Sequence, residues 1–445
     1  MKLSFSLLML LICIVYIYGL SPLEKLRAMN KEIDSYDILF SIGLVNSEMN
    51  KPNQDNNGTY KYNATEGAQL TDIFEIEYNN DKVKETQTET INQLVSNYLS
   101  RYKEYLTKND KVSINQKISF ISVKTDDSIS FMKELINKIM KELSEKTIIN
   151  TITQIDFDRD SFINNELIYN PTESMPKLSI LDNSYRVLKF GFDISQDCNK
   201  YKNRIKNNRN IAKILPSSDI VDTLYDTFFK DESKHLFYSV KDPLSPVYNF
   251  SKSELQSNIT LLKAISDNYL FNYINDNTFN PSLYSTVHEI YNTITYEHLL
   301  SSDLHNYLQL SPFFYLLIDL FNHQIGLSLK EITDDSKRLS VIFGVHDIVL
   351  AGLYRLFAYN GYSSVYQDEL VCQGQIEDIQ KCPFIEYGSS IFFDLIKGSD
   401  GNHYIMMYDR LSSRFTVSIS DFTKVMKDIL VYPDFNEDFR KNNCN

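Results

Sequence analysis

The stretch from Leu339 to Phe357 constrains the fold more than any other part of this chain. Leu339–Val345 reads LSVIFGV, a short apolar run rich in branched residues, which is typical of a strand buried on both faces of a parallel sheet. Ile348–Phe357 then repeats apolar residues at helical spacing. His346 and Asp347 are therefore expected between a strand and a helix, where open α/β sheets place ligand sites. The alternative is structural, with Asp347 as a helix cap and His346 in a turn.

Strand-like and helical patterns alternate on both sides of a long, different middle region. Residues 31–145 contain the strand-like DILFSIGLV and KISFISV, a helical pattern from about Glu85 to Leu106, and the helix SISFMKELINKIMKEL. From Pro312 onward a helix precedes LSVIFGV, and the strand-like SIFFDLI and HYIMMYD follow, joined by the turn GSDGN. Residues 150–311 are richer in helical signals, loops and tyrosine. We expect residues 20–149 and 312–445 to form one α/β domain and residues 150–311 a mostly helical insertion.

The amino terminus has the pattern of a secretory signal peptide. Met1–Gly19 reads MKLSFSLLMLLICIVYIYG, with one early lysine, an apolar stretch and a small residue before a polar sequel. An uncleaved anchor is the alternative. No later apolar run reaches the roughly 18 residues needed to span a bilayer, so no stable membrane span is expected in the mature chain. Sequons at Asn57, Asn63, Asn249 and Asn258 are consistent with a secreted glycoprotein.

Composition narrows the possible partners. The chain has 445 residues, of which 43% are hydrophobic, enough to bury a sizeable core and to form two or three domains. Its formal charge is −13. No block rich in lysine and arginine stands out, so nucleic acid is not expected as a partner.

Cysteine usage agrees with an oxidising compartment. Cys13 lies in the leader, and the mature chain retains Cys198, Cys372, Cys382 and Cys444. Four cysteines allow three pairings, all of which stay open at this point, although Cys372 and Cys382 are close enough in sequence to close a short loop. The cysteines lack paired short spacings and have no neighbouring histidine, so neither a metal site nor a cofactor is predicted.

Two spaced blocks near the carboxyl terminus carry a family resemblance. FGVHDIVLAGLYRLF, followed by CPFIEYGSSIFFDLIKGSDGNHYIMMYDR, resembles the carboxyl-terminal signature of the histidine acid phosphatases. Glu66-Gly67 through Leu70 is weakly similar to the family's Gly-x-x-Gln stretch, with Leu70 in place of the glutamine, and Asp197-Cys198 resembles its mid-chain cysteine. The resemblance implies a phosphoglycerate-mutase-like α/β sandwich domain with a mostly helical cap. It also implies a disulfide between Cys198 and Cys444, which leaves Cys372 for Cys382.

The same resemblance implies that the catalytic centre is degenerate. In that family a histidine of an early Arg-His-Gly-x-Arg motif attacks phosphorus, three arginines neutralise the phosphate, and the aspartate of His-Asp protonates the leaving group. Alignment by the first strand places Ser41 at the first arginine, Ile42 at the nucleophile, Gly43 at the glycine, Val45 at the second arginine and Val123 at the third. His346 and Asp347 are then the remnant of an emptied site.

Two functions are compatible with this reading. Loss of a covalent nucleophile costs several orders of magnitude in rate, which favours a secreted pseudophosphatase that acts as a binding or extracellular signalling component. The alternative is a weak or divergent acid phosphatase, secreted or lysosomal, that finds its nucleophile elsewhere, with Ser41 and His346 as first candidates. Leader, composition and degraded motif also resemble those of acid-phosphatase-like proteins in the secreted counting-factor complex of social amoebae, which limits group size. That resemblance implies other secreted proteins in a complex, or a cell-surface receptor, as partners.

Overall fold

A computed structural model describes part of the chain. The described residues are 22–47, 80–107, 114–123, 125–143, 152–155, 178–181, 284–292, 294–295, 303–329, 339–358, 385–409 and 412–429, with the pairs 53–54, 60–61 and 75–76 and the single positions 222, 226, 262 and 266. The leader, the four mature cysteines (Cys198, Cys372, Cys382, Cys444) and the four sequon asparagines (Asn57, Asn63, Asn249, Asn258) lie outside them. Cleavage, disulfide pairing and glycosylation therefore stay predictions.

The described residues form eleven strands and eight helices. The strands are β1 (Tyr36–Asn46), β2 (Asn53–Gln54), β3 (Tyr60–Lys61), β4 (Glu75–Ile76), β5 (Ile118–Ser122), β6 (Ile152–Ile155), β7 (Leu178–Leu181), β8 (Ser340–Val345), β9 (Ser390–Gly398), β10 (His403–Asp409) and β11 (Ser412–Ser418). The helices are α1 (Pro22–Ala28), α2 (Asn80–Thr107), α3 (Ile114–Lys117), α4 (Asp126–Glu142), α5 (Tyr284–Asn292), α6 (Asp303–Leu329), α7 (Asp347–Ala358) and α8 (Ile419–Ile429).

One mixed sheet of eight strands organises the fold. Its order is β11-β10-β9-β1-β8-β5-β7-β6. The strands from β1 to β6 in this order are parallel, whereas β9, β10 and β11 are antiparallel to their neighbours. Every residue of β8 is buried between β1 and β5, as its apolar run predicts. The predicted α/β class is confirmed.

Helices cover both faces of the sheet. Ile42 and Leu44 of β1 belong to a core shared with α6, α7 and α8, whereas Val45 belongs to a second core shared with α2 and α4. Successive side chains of a strand point to opposite faces, so a strand covered on both sides must be apolar at nearly every position. No helix formed by the described residues is both long and apolar enough to cross a bilayer.

Two elements of the structure extend across the boundaries predicted for the insertion. Strands β6 and β7 belong to the main sheet, so the sheet continues beyond residue 149, where the sequence analysis began the insertion. Helix α6 begins at Asp303 and holds Pro312 in its interior, and the boundary predicted at 311–312 therefore falls inside a helix. Proline is favoured in the first turn of a helix, which made Pro312 look like a start. The division into an α/β domain and a helical cap stays a prediction.

Candidate functional site

The parallel strands β1, β8 and β5 end side by side, and we call this border of the sheet the carboxyl edge. Asn46, the last residue of β1, pairs with Val345, the last residue of β8. The Ser47 amide donates to the Val345 carbonyl at 3.0 Å, and the Val123 amide donates to the Gly344 carbonyl at 3.3 Å. The edge therefore brings the residues that follow β1 and β5 to the His-Asp pair.

The predicted His-Asp pair lies at this edge. Asp347 is the first residue of α7; its Oδ1 accepts the Ile348 amide at 2.7 Å and its Oδ2 accepts the Tyr291 hydroxyl at 2.5 Å. The contact with Ile348 is local to the start of α7, whereas the contact with Tyr291 of α5 reaches a distant segment. Both carboxylate oxygens are thus held in place.

His346 immediately precedes the helix and is partly exposed. Burial lowers the pKa of His346 to about 4, although the neighbouring Asp347 acts in the opposite direction. Because the charged form is disfavoured by desolvation, the imidazole is neutral near neutral pH. It can accept a proton or a hydrogen bond there, but it does not supply the fixed positive charge that a phosphate site needs.

A chain of serine hydroxyls lies directly beneath the edge. Ser47 Oγ is 2.5 Å from Ser128 Oγ, and Ser122 Oγ is 2.7 Å from Ser128 Oγ. Ser122 also donates to the Val123 carbonyl at 2.9 Å. The Ser47 hydroxyl can also donate to the Val345 carbonyl, at 3.4 Å, so its single proton is shared between that carbonyl and Ser128. All three serines are 0% exposed, so the hydroxyl at the end of β1 is enclosed and its proton is already committed.

Asn46 fixes the loop that leads into β9. Its side-chain amide donates to the Glu386 carbonyl at 3.1 Å, its backbone amide donates to Ser389, and its carbonyl accepts the Gly388 amide at 2.9 Å. Gly388 has a φ of +77°, a conformation that favours glycine. Asn46, at the end of β1, therefore makes these hydrogen bonds to backbone groups of the loop before β9.

Ser41 and Ile42 are not brought to the His-Asp pair. Ser41 pairs with Ser340 at the opposite end of β8, and His346 lies six residue steps further along the chain than Ser340, which amounts to roughly 20 Å. Val45 pairs with Gly344 and packs toward α2 and α4. Of the four degenerate positions, Val123 is the one at the end of its strand on the carboxyl edge, where it is buried.

The surroundings of Ser41 are those of a structural core. Ser41 pairs with Asp394 of β9, which is 0% exposed. Asp394 accepts Arg101 Nε at 2.9 Å, forms a second contact with the same guanidinium, and accepts the Tyr102 hydroxyl at 2.7 Å. Burial, assisted by the Asp394 charge, raises the pKa of Tyr102. This ion pair holds α2 against the sheet far from the carboxyl edge.

Sequence reasoning missed the residues that the edge assembles. They are Asn46, Ser47, Ser122, Ser128 and Tyr291. One signal was available, because Asn46 and Ser47 are the first polar residues after the apolar run of β1. Among the described residues, no group of three His, Cys, Asp or Glu side chains that could hold a metal ion is found.

Comparison with known proteins gives similarity to solved structures alone. No protein-family model matches the chain, and no curated sequence matches it. It is similar to the apo phytase of Hafnia alvei at 9% identity and a TM-score of 0.46, over 90% of this chain and 98% of that one. The phytase from D. castellii has 10% identity and a TM-score of 0.45, over 92% and 85%. A multiple inositol polyphosphate phosphatase of Bifidobacterium longum, in complex with inositol hexasulfate, has 12% identity and a TM-score of 0.45, over 88% and 89%.

Proposed function

We propose that this chain is a secreted, catalytically degenerate protein of the histidine acid phosphatase type that acts as an extracellular binding or signalling component. One observation carries the proposal. The end of β1, where that family has its nucleophile and first arginine, carries Asn46 and Ser47, whose side chains are bonded to backbone carbonyls and to buried hydroxyls. The sequence that follows, Glu48-Met49-Asn50, supplies neither histidine nor arginine.

This conclusion does not depend on where the early motif is aligned. The first 234 residues contain no histidine, so neither the Ser41–Val45 register nor the Asn46–Asn50 register provides an imidazole nucleophile. Loss of such a nucleophile removes several orders of magnitude in rate, and each missing donor to the transition-state charge removes roughly 3–4 kcal/mol more.

Ser47 is a poor substitute for the missing histidine. To attack phosphorus, a serine must lose its proton to a base as the new bond forms. The Ser47 hydroxyl instead contacts the Ser128 hydroxyl and the Val345 carbonyl, neither of which is a base. Within the described residues, the side-chain hydroxyls of Ser47, Ser122 and Ser128 bond to hydroxyls and carbonyls and to no arginine or lysine.

Asp347 also lacks the arrangement of a general acid. Its two oxygens accept hydrogen bonds from Ile348 and Tyr291, a pattern that suits an ionised carboxylate. A general acid must carry a proton and point it at a leaving group. The neutral His346 beside it adds no positive charge, so neither residue of the pair attracts a phosphate dianion.

The role we assign is in a complex of secreted proteins or at a cell-surface receptor, comparable to the counting-factor complex by which social amoebae limit group size. The leader at Met1–Gly19, the sequons and the sequence resemblance support it. Fractionation of native medium by size offers a test, since the chain should elute with other proteins at a mass well above its own. Elution of all the protein as a free monomer would contradict this role.

Hydrolysis of an aryl phosphate tests the loss of catalysis. We expect the purified, full-length protein to show no vanadate-sensitive turnover from acidic to neutral pH, and Asp347→Asn to change nothing. The weak-phosphatase alternative predicts turnover that Asp347→Asn lowers by about a hundredfold or more, the scale of a positioned general acid. Such turnover would overturn the proposal and require a nucleophile that neither strand register supplies.

A further inference from the structure

A polar groove of about 500 Å³ lies between α6 and α8. Its lining consists of Asn322, Ile419, Ser420, Thr423, Lys424 and Lys427. Five of these six side chains are polar, two carry positive charge and none is acidic. The lining therefore differs in charge from the chain as a whole, whose formal charge is −13.

The amphipathic pattern of α8 creates this stripe. Phe422, Val425 and Met426 are buried in the core beneath the helix. Among the groove-lining positions, 420 and 423 and also 424 and 427 are three residues apart, whereas 420 and 424 and also 423 and 427 are four apart, which places all of them on one side of the helix. The start of α8 is fixed by Ser418, whose hydroxyl accepts the Asp421 amide at 3.1 Å and donates to the Asp421 carboxylate at 2.6 Å. The acidic side chain in the first turn of α8 is thus engaged in the cap.

The polar groups of the groove have no protein partners within the described part of the chain. No hydrogen bond or ion pair there involves Asn322, Ser420, Thr423, Lys424 or Lys427. Two other lysines are bonded within the protein, because Lys117 donates to the Leu106 carbonyl at 2.6 Å and Lys138 donates to Asn92 at 2.7 Å. Within the part of the chain that the structure describes, the donors of the groove are therefore not used by other protein groups.

We infer that this groove binds a small anion that carries two oxyanion groups, such as a diphosphate. Lys424 and Lys427 lie three residues apart on one helix, so their side chains start about 5–6 Å from each other. That spacing suits two linked oxyanions, while the hydroxyls and the Asn322 carboxamide supply further hydrogen bonds. A single exposed ion pair contributes little binding free energy. An anion that contacts both lysines should therefore bind more tightly than one that contacts a single lysine.

The groove is separate from the carboxyl edge. Ser418, just before α8, pairs with Tyr404, which pairs with Ile396, which pairs with Ile38 near the start of β1. Helix α8 therefore begins at the border of the sheet opposite to His346. The inference stands whether or not the proposed function holds.

Calorimetric titration of the full-length protein with methylenediphosphonate at low salt tests the inference. We expect saturable binding about tenfold or more tighter than that of methylphosphonate, because the second group binds intramolecularly. The double variant Lys424→Gln/Lys427→Gln should lose this advantage. The double variant Lys103→Gln/Lys141→Gln, which removes two exposed lysines of α2 and α4, should keep it, and so should Asp347→Asn.

Several results would overturn the inference. One is the absence of binding, and another is equal affinity for the two phosphonates. Equal weakening by the two lysine double variants would show a response to net charge alone. Loss of binding on Asp347→Asn would place the ligand at the carboxyl edge instead.

Discussion

The Tyr291 hydroxyl donates a hydrogen bond of 2.5 Å to Oδ2 of Asp347. Tyr291 belongs to α5, within the segment predicted as a helical insertion, whereas Asp347 opens α7 directly after the central strand β8. The contact therefore joins the segment predicted as an insertion to the start of α7, beside the partly exposed His346.

Removal of this hydroxyl should loosen the junction. Tyr291 is 1% exposed, and Tyr291→Phe keeps its ring while depriving the carboxylate of a donor. We expect the free energy of unfolding in urea to fall by about 1.5–3 kcal/mol, the range for a hydrogen bond to a charged group. Tyr36→Phe is the control, since the Tyr36 hydroxyl contacts Arg101 at an exposed position and should cost less. Equal losses would argue against a special role for Tyr291.

Acid should destabilise the protein through His346. Burial holds the folded-state pKa at about 4, below the ordinary value of 6.5, so the neutral imidazole stabilises the fold fully above about pH 6.5. This contribution is lost as the pH falls from 6.5 toward 4, because the unfolded chain binds the proton first. We expect His346→Gln to flatten the pH dependence of unfolding in this window by up to about 1.4 kcal/mol per pH unit. Parallel curves for the two proteins would contradict the prediction.

The strands around the site were predictable, but their ends were not. LSVIFGV and DILFSIGLV predicted β8 and β1 because both are apolar at most positions. The same property hid the register, since a strand buried on both faces has no alternation to show where it meets the edge. Alignment by the apolar run matched Ile42 to the family's nucleophile, whereas the strand continues for four more residues to Asn46.

The contacts that complete the site come from residues distant in sequence. Ser47 meets Ser128 across 81 residues, and Tyr291 meets Asp347 across 56. Serine and tyrosine are common, and nothing local distinguishes these from others. The buried pair of Arg101 and Asp394, 293 residues apart, was missed for the same reason. The sheet could be predicted from local patterns, whereas these pairings depend on the tertiary fold.

Removal of one partner of the buried Arg101–Asp394 pair should lower the free energy of unfolding more than replacement of both partners by apolar residues. Asp394 is fully buried and its carboxylate is bonded to Arg101 and Tyr102. Arg101→Met leaves a buried charge without its counter-ion, and we expect a loss of about 3–5 kcal/mol in the free energy of unfolding. The double variant Arg101→Met/Asp394→Leu should recover a large part of this loss, because an apolar pair of similar size avoids the desolvation cost. A double variant less stable than Arg101→Met would show that the network itself is indispensable.

Gly43 offers the last test, because it is the one motif residue that the first-strand alignment retained. The structure gives it a packing role, since a Cβ at this position would lie 2.3 Å from Cε1 of Phe392. That ring is held beside Tyr98 and Tyr102, with centroids 5.9 and 5.7 Å away, and has little room to shift. We expect Gly43→Ala to lower the free energy of unfolding by about 1–3 kcal/mol, as overpacking does. Gly326→Ala in α6, where a Cβ meets nothing within 4 Å, should instead raise it by about 0.5–1 kcal/mol. An unchanged free energy of unfolding in Gly43→Ala would mean that the glycine has no packing role. Its match to the glycine of the family motif would then lack a structural explanation.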